Sequence, residues 1–138
     1  MGQPSAENAM KQPFVLVIDD DVPGADAASY FLKRAGFEVG VSYLAEEGLE
    51  LAFDIRPDVI VCDVAMPRMN GLEILRWLKA HAETAEIPVV LTSGHRSLDC
   101  AGAFTFLAKP FDSTGLITAV RNALNNGLEV KSCAKMAA

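Results

Sequence analysis

Apolar residues gather in short blocks along this chain, and longer stretches with helical spacing separate the blocks. Phe14 to Ile18 (FVLVI) is apolar at every position, as is Val59 to Cys62 (VIVC). Such runs, without alternation of polar and apolar positions, predict strands buried on both faces. The VIVC strand spans 58–62, and Glu38 to Ser42, Pro88 to Leu91 with Thr92 at its end, and Phe104 to Leu107 complete a set of five. Between them, Ala28, Phe31, Leu32 and Ala35 recur at steps of three and four, which predicts a helix with one face on the sheet. Asp21 is placed to cap that helix, Pro23 suits its first turn and Gly36 its stop. A second helix is expected over Ala45 to Ile55, with Leu44, Gly48, Leu49 and Ala52 inward and Arg56-Pro57 ending it. A third is expected from about Gly71 to Ala82 on Leu72, Leu75 and Leu78, with Trp77 packing at the core edge. The last, from about Ser113 to Asn125, turns Leu116, Ile117, Val120 and Leu124 inward and stops at Gly127.

Strands alternating with helices predict an α/β fold with a doubly wound, five-stranded parallel sheet. Sheets of this class take the flavodoxin-like order 2-1-3-4-5, with the crevice where strands 1 and 3 diverge. At 138 residues the chain suits one domain with a substantial core. Its organisation reads as a polar N-terminal arm over 1–12, a domain over 13–127 and a tail over 128–138. The formal net charge of −6 repels phosphate backbones, so nucleic acid is not an expected partner. The apolar runs fall far short of a membrane span, and the first residues carry no secretory pattern. Three cysteines, Cys62, Cys100 and Cys133, show no metal-like spacing, which fits a reduced, cytoplasmic chain with Cys62 in the core.

The chemistry collects at the carboxyl ends of the strands. Strand 1 runs into Asp19-Asp20-Asp21 and strand 3 into Asp63; right-handed crossovers bring those two ends side by side. Crowded carboxylates repel one another unless a hard cation sits among them, and an oxygen-only, partly hydrated site suits Mg²⁺. Thr92 and Lys109 add a hydroxyl and an ammonium at the ends of strands 4 and 5. Acid, metal, hydroxyl and cation on one rim make a phosphoryl site: Asp63 the nucleophile, Mg²⁺ and Lys109 neutralising oxygens, Thr92 donating a hydrogen bond. Each residue also has a plainer role open to it. Asp21 can be only a cap, Thr92 a strand end, Lys109 a surface lysine, Met66 and Met69 packing. His81 and His95 have no ligand-spaced partners and receive no role.

The motifs VLVIDDD, VIVCDVAMPRMNG, VVLTSG and FLAKPF together resemble the receiver domains of two-component response regulators, of the single-domain, chemotaxis-type kind, over Phe14 to Asn126. The resemblance implies that Asp63 is the phosphoacceptor, and that Asp19, Asp20, Asp63 and the backbone carbonyl of Ala65 hold Mg²⁺. It implies Thr92 as the switch hydroxyl, Phe106 as the switch aromatic, Lys109 as the phosphate-contacting lysine, and a cis peptide between Lys109 and Pro110. It further implies phosphotransfer from a histidine kinase or a histidine phosphotransfer protein. The expected function is a phosphorylation-controlled signalling switch, monomeric and without a fused effector, acting by protein contact or phosphorelay. It would dephosphorylate itself but would not turn over an external substrate.

Other classes fit less well. A phosphatase with a strand-1 aspartate wants Thr or Val near the positions of Asp21 and Val22, and the match is poor. A flavin or nucleotide module wants a phosphate loop rich in Gly, Ser and Thr, where DDDVPG presents negative charge. A degenerate receiver acting as an unphosphorylated docking module is at odds with the complete set of acid, hydroxyl and lysine. One departure from the family pattern stands out: only 17 positions separate Thr92 from Lys109. The fourth helix of the family is therefore expected to be shortened or missing, with few apolar anchors across 93–102.

Overall fold

The computed structural model describes residues 12–94 and 102–125. Five strands, β1 (Phe14–Ile18), β2 (Glu38–Ser42), β3 (Val59–Asp63), β4 (Val89–Ser93) and β5 (Thr105–Ala108), form one sheet in the order β2-β1-β3-β4-β5. Every neighbouring pair is parallel. The described helices are α1 (Val22–Arg34), α2 (Ala45–Ile55), α3 (Gly71–Ala80) and α4 (Ser113–Asn125). This is the doubly wound, flavodoxin-like sheet that the alternation of strands and helices predicts.

The period of two along each strand sorts the apolar residues into two cores. Leu16, Ile18, Ile60, Cys62, Val89 and Leu91 point to one face and meet α2 and α3 through Ala45, Leu49, Ala52, Ile74, Leu75 and Leu78. Val15, Val17, Val59, Val61 and Val90 point to the other and meet α1 and α4 through Ala25, Ala28, Leu32, Leu116, Val120 and Ala123. β3 and β4 are buried at all positions because helices cover both their faces. Each fully buried Leu, Ile or Val contributes about 1.5–3 kcal/mol over leaving it exposed, so the central strands anchor the fold.

Several local expectations need correction. Leu44, expected inward, is 58% exposed: it is the extended residue before α2, and Ala45 takes the buried place. Helix α3 ends at Ala80 and not Ala82, because the Thr84 hydroxyl donates to the Leu78 carbonyl at 2.7 Å and takes over a helix-end acceptor. Strands β4 and β5 each start and end one residue later than the apolar blocks suggest. Asp21 occupies the N-cap position of α1, yet its side chain makes no capping hydrogen bond. The expected shortening of the helix between β4 and β5, the terminal arm and the tail concern residues that lie wholly or mostly outside those described. No helix among the described residues is long and apolar enough to cross a membrane.

Candidate functional site

The rim is assembled by strand register. β1 and β3 pair Ile18 with Cys62, so the next residues, Asp19 and Asp63, emerge side by side. β3 and β4 pair Asp63 with Thr92 directly, and the Val64 amide donates to the Thr92 carbonyl at 2.8 Å. β4 and β5 pair Ser93 with Ala108, and the Lys109 amide donates to the Ser93 carbonyl at 2.7 Å. The backbone after Lys109 then turns through a cis peptide to Pro110, as the resemblance implies.

Behind Asp63, the loop to α3 is held by backbone contacts. The Gly71 amide donates to the Val64 carbonyl at 2.9 Å. A Cβ on Gly71 would lie 2.6 Å from the Asp63 carbonyl oxygen and 2.8 Å from the Val64 Cα, so only glycine lets α3 start this close to the strand end. Asn70 and Glu73 cap the helix reciprocally: the Asn70 side chain accepts from the Glu73 amide and Glu73 accepts from the Asn70 amide, each at 2.9 Å. The Asn-Gly pair reads in sequence as a turn; its second task, close backbone approach to the acid, is visible only in three dimensions.

Asp19 and Asp63 are buried and Asp20 is exposed. One carboxylate oxygen from each of the three can be chosen so that all lie within 4.8 Å of one another. Lys109 reaches between the two buried acids, with Nζ at 3.0 Å from Asp19 Oδ2 and 3.3 Å from Asp63 Oδ1. Asp19 Oδ1 accepts from the Asp21 amide at 2.9 Å, so both its oxygens are engaged. Asp63 Oδ2, the side chain of Asp20 and the buried Thr92 hydroxyl have no hydrogen-bond partner among the described residues.

Burial, and then the charge of Asp19, push the Asp63 carboxyl above its usual range, while Lys109 opposes the rise. For Lys109 the order of causes is different. Burial alone would lower it, but the hydrogen bond and charge of Asp19, with Asp63 behind them, outweigh burial and hold the ammonium above the ordinary lysine value. Next to the site, the Cys62 thiol is pushed up by burial first and by Asp63 second, which keeps it an unreactive packing group.

Three carboxylates with a spare oxygen on buried Asp63 suit a hard divalent cation such as Mg²⁺. The rim thus brings together Asp19, Asp20, Asp63 and Lys109, with Thr92 opposite Asp63. Ala65 lies exposed in the loop after β3, and Phe106 on β5 is partly buried against the core that also packs α2 and α3. Met66 is buried in that core and Met69 packs against it. An apolar cavity of about 410 Å³ opens from the rim between α1 and the Pro110-Phe111 turn, floored in part by Ala27, Ala28 and Phe31. Sequence reasoning did not find it. Its signal was the run of small residues on α1, which leaves room where larger side chains would fill.

A family model described as the response regulator receiver domain matches residues 15–121. Among curated proteins, the chain is 30% identical over 129 residues to the DNA-binding dual master transcriptional regulator RpaA of Synechocystis, covering 89% of this chain and 54% of that protein. It is 35% identical over 115 residues to the transcriptional regulatory protein FixJ of Rhizobium meliloti, covering 79% and 55%. The chain therefore spans about half the length of these curated relatives. Among solved structures, a response regulator from Chloroflexus aurantiacus matches with a TM-score of 0.79 at 31% identity, over 84% of this chain and 100% of that one. The chemotaxis response regulator CheY4 of Vibrio cholerae matches with a TM-score of 0.78 at 28% identity, over 83% and 100%. With the match running from the second residue of β1 well into α4, the chain belongs to the response regulator receiver domain family, whose members serve phosphorylation-controlled two-component signalling.

Proposed function

We propose that the chain is a signalling switch set by a phosphoryl group on Asp63, delivered by a histidine kinase or a histidine phosphotransfer protein. The observation that carries the reading is the pairing of Asp63 with Asp19 and Lys109 at one rim: a buried carboxylate with one oxygen on an ammonium and the other without a partner among the described residues. In the transfer, the bond from phosphorus to the donor nitrogen breaks and a bond from phosphorus to an Asp63 oxygen forms. Asp19, Asp20, Asp63 and the Ala65 carbonyl would hold Mg²⁺, which when bound offsets the charge of the incoming phosphoryl oxygens. Lys109 is already placed at Asp63 and would contact those oxygens as they arrive. The Thr92 hydroxyl, buried opposite Asp63, would donate a charge-assisted hydrogen bond to the phosphoryl group. Phe106, on the neighbouring strand and only partly buried, would then favour an inward rotamer, a shift of population within one fold.

On this reading the chain accepts the group on itself and releases it by its own hydrolysis, without turning over an external substrate. Its output would be protein contact or onward phosphotransfer in the cytoplasm, as a monomer over residues 13–127, with no nucleic acid and no membrane involved. The test is intact mass after incubation with Mg²⁺ and a small phosphodonor. Wild type should gain one phosphoryl group, chelation of Mg²⁺ should prevent the gain, and Asp63→Asn should show none. Undiminished labelling of Asp63→Asn would overturn the assignment.

A further inference from the structure

Far from the rim, a groove of about 430 Å³ lies between α2 and α3, lined by Leu49, Glu50, Phe53, Asp54, Trp77 and His81. Its wall is a built aromatic platform. Trp77 and His81 stack with ring centroids 4.0 Å apart and planes at 27°, and Phe53 meets both edge-on at 5.9 and 6.3 Å. The His81 ring is fixed by its contact with the Trp77 carbonyl at 2.8 Å. A carbonyl only accepts, so Nδ1 carries a proton and donates. All three rings are partly buried and partly open to solvent.

The rim of this groove is acidic at a cost to the helix. Glu50 and Asp54 stand one turn apart on α2, where like charges repel. Asp54 also sits in the last turn, at the negative end of the helix dipole, and that turn holds no basic residue. Neither carboxylate has an ion pair or hydrogen bond among the described residues. Aromatic rings lining a groove beside carboxylates that have no partner among the described residues suit a cation, and the near-parallel Trp77 and His81 rings favour a flat one.

We propose that this groove docks an arginine side chain presented by a partner protein. The planar guanidinium stacks on the Trp77–His81 platform and directs its N–H groups to Glu50 and Asp54. Lysine, a compact and strongly hydrated point charge, uses a flat platform less well. The surface belongs to α2 and α3, on the face of the sheet away from α1 and α4, so a partner there would leave the phosphorylation rim open.

Trp77 is the only tryptophan in the chain, so its fluorescence and its indole NMR signal report the groove directly. The experiment titrates the full chain with acetyl-Gly-Arg-Gly-amide, with the neutral isostere acetyl-Gly-citrulline-Gly-amide as control. A saturable change at Trp77 is expected for the arginine peptide with a dissociation constant on the order of millimolar, as suits a single side chain. The Glu50→Gln/Asp54→Asn double variant should bind it roughly tenfold more weakly, and added salt should weaken wild type in the same direction. No saturable change, an equal response to the citrulline peptide, or unchanged affinity in the double variant would each overturn the proposal.

Discussion

Two groups of carboxylates in this molecule behave as opposites. At the rim, Asp19 and Asp63 are buried and share Lys109, and burial and the charge of Asp19 raise the Asp63 carboxyl; on α2, Glu50 and Asp54 are exposed and have no partner among the described residues. Both regions are built of carboxylates brought near one another by the fold. What differs is the medium. In a buried site two like charges interact strongly, so one must be protonated, paired or met by a cation. In water the same repulsion is weak and screened, and the acids remain available for a partner. Burial turns acid into chemistry, and exposure turns it into recognition. That contrast can be broken at either end.

The largest effect is expected where the rim is fixed by backbone. Gly71→Ala would set a Cβ 2.6 Å from the Asp63 carbonyl oxygen, and backbone has no rotamer by which to escape. A loss of about 3 kcal/mol is expected in urea unfolding, at the upper end of ordinary overpacking. Gly48→Ala supplies the contrast within the same fold. Its Cβ would meet Ile18 side-chain atoms at 2.7 to 3.0 Å, the branching Cγ1 and Cγ2 among them, so the Ile18 side chain must rotate as a whole, a relief that backbone does not have. Alanine also favours the helix over glycine by about 1 kcal/mol. A smaller loss at Gly71 than at Gly48 would show that the loop behind Asp63 is adaptable and that the rim is not held as described.

The next effect tests the pairing itself. Lys109→Met leaves Asp19 and Asp63 buried without their shared cation. Removing one partner of a fully buried pair costs 3–5 kcal/mol, but Lys109 keeps 28% of its side chain exposed, so about 2 kcal/mol is expected without metal. The pH dependence has a definite sign. Asp63 is raised in the native state, so the native protein holds its proton to higher pH than the unfolded chain does. The penalty of ionising it is absent below the ordinary carboxylate range and develops as pH rises through its native value. Lys109 opposes that rise, and its loss widens the gap. The deficit of Lys109→Met should therefore shrink as pH falls through the carboxylate range, and saturating Mg²⁺ should recover part of it near neutrality. Urea midpoints across pH, with chelator and with Mg²⁺, give the measurement. A deficit independent of both would mean that Lys109 supports the fold by packing alone.

How much of this was legible beforehand depends on whether the physics is local. The strands follow mostly from short apolar runs and their order from the α/β class, and the meeting of Asp19, Asp20 and Asp63 follows from two such runs ending in acids, because in a parallel sheet all such ends share one edge. Thr92 and Lys109 followed the same logic. Leu44 misled because helical spacing extends one residue past the true start, and nothing local says that Ala45 takes the inward place. The end of α3 depended on Thr84, six residues beyond Leu78, which periodicity does not reach. The Asn70-Gly71 pair reads locally as a turn, and the Asp63 carbonyl that requires glycine at 71 is a neighbour only in the fold. Trp77 was read as core edge, and it does pack there. Its exposed face matters only beside Phe53, which belongs to another helix.

The smallest effect is the sharpest test of the outer acids. If Glu50 and Asp54 serve the fold, removing their charge should destabilise it. If they stand unpaired, the opposite sign is expected. Repulsion between like charges one turn apart costs a helix about 0.2–0.5 kcal/mol. An acid in the last turn adds a similar amount at low salt, because it faces the negative end of the helix dipole. The Glu50→Gln/Asp54→Asn variant should thus be more stable than wild type by about 0.5 kcal/mol in low salt, with much of the gain lost at high ionic strength. Thermal and urea unfolding at two salt concentrations would read it, with Asp58→Ala as a reference: that carboxylate accepts the Phe14 amide at 2.7 Å, so its removal should destabilise. A loss of stability in the double variant would reveal a partner for these acids within the chain. The groove would then be part of the fold's own electrostatics, and the contrast between the two acidic regions would fail.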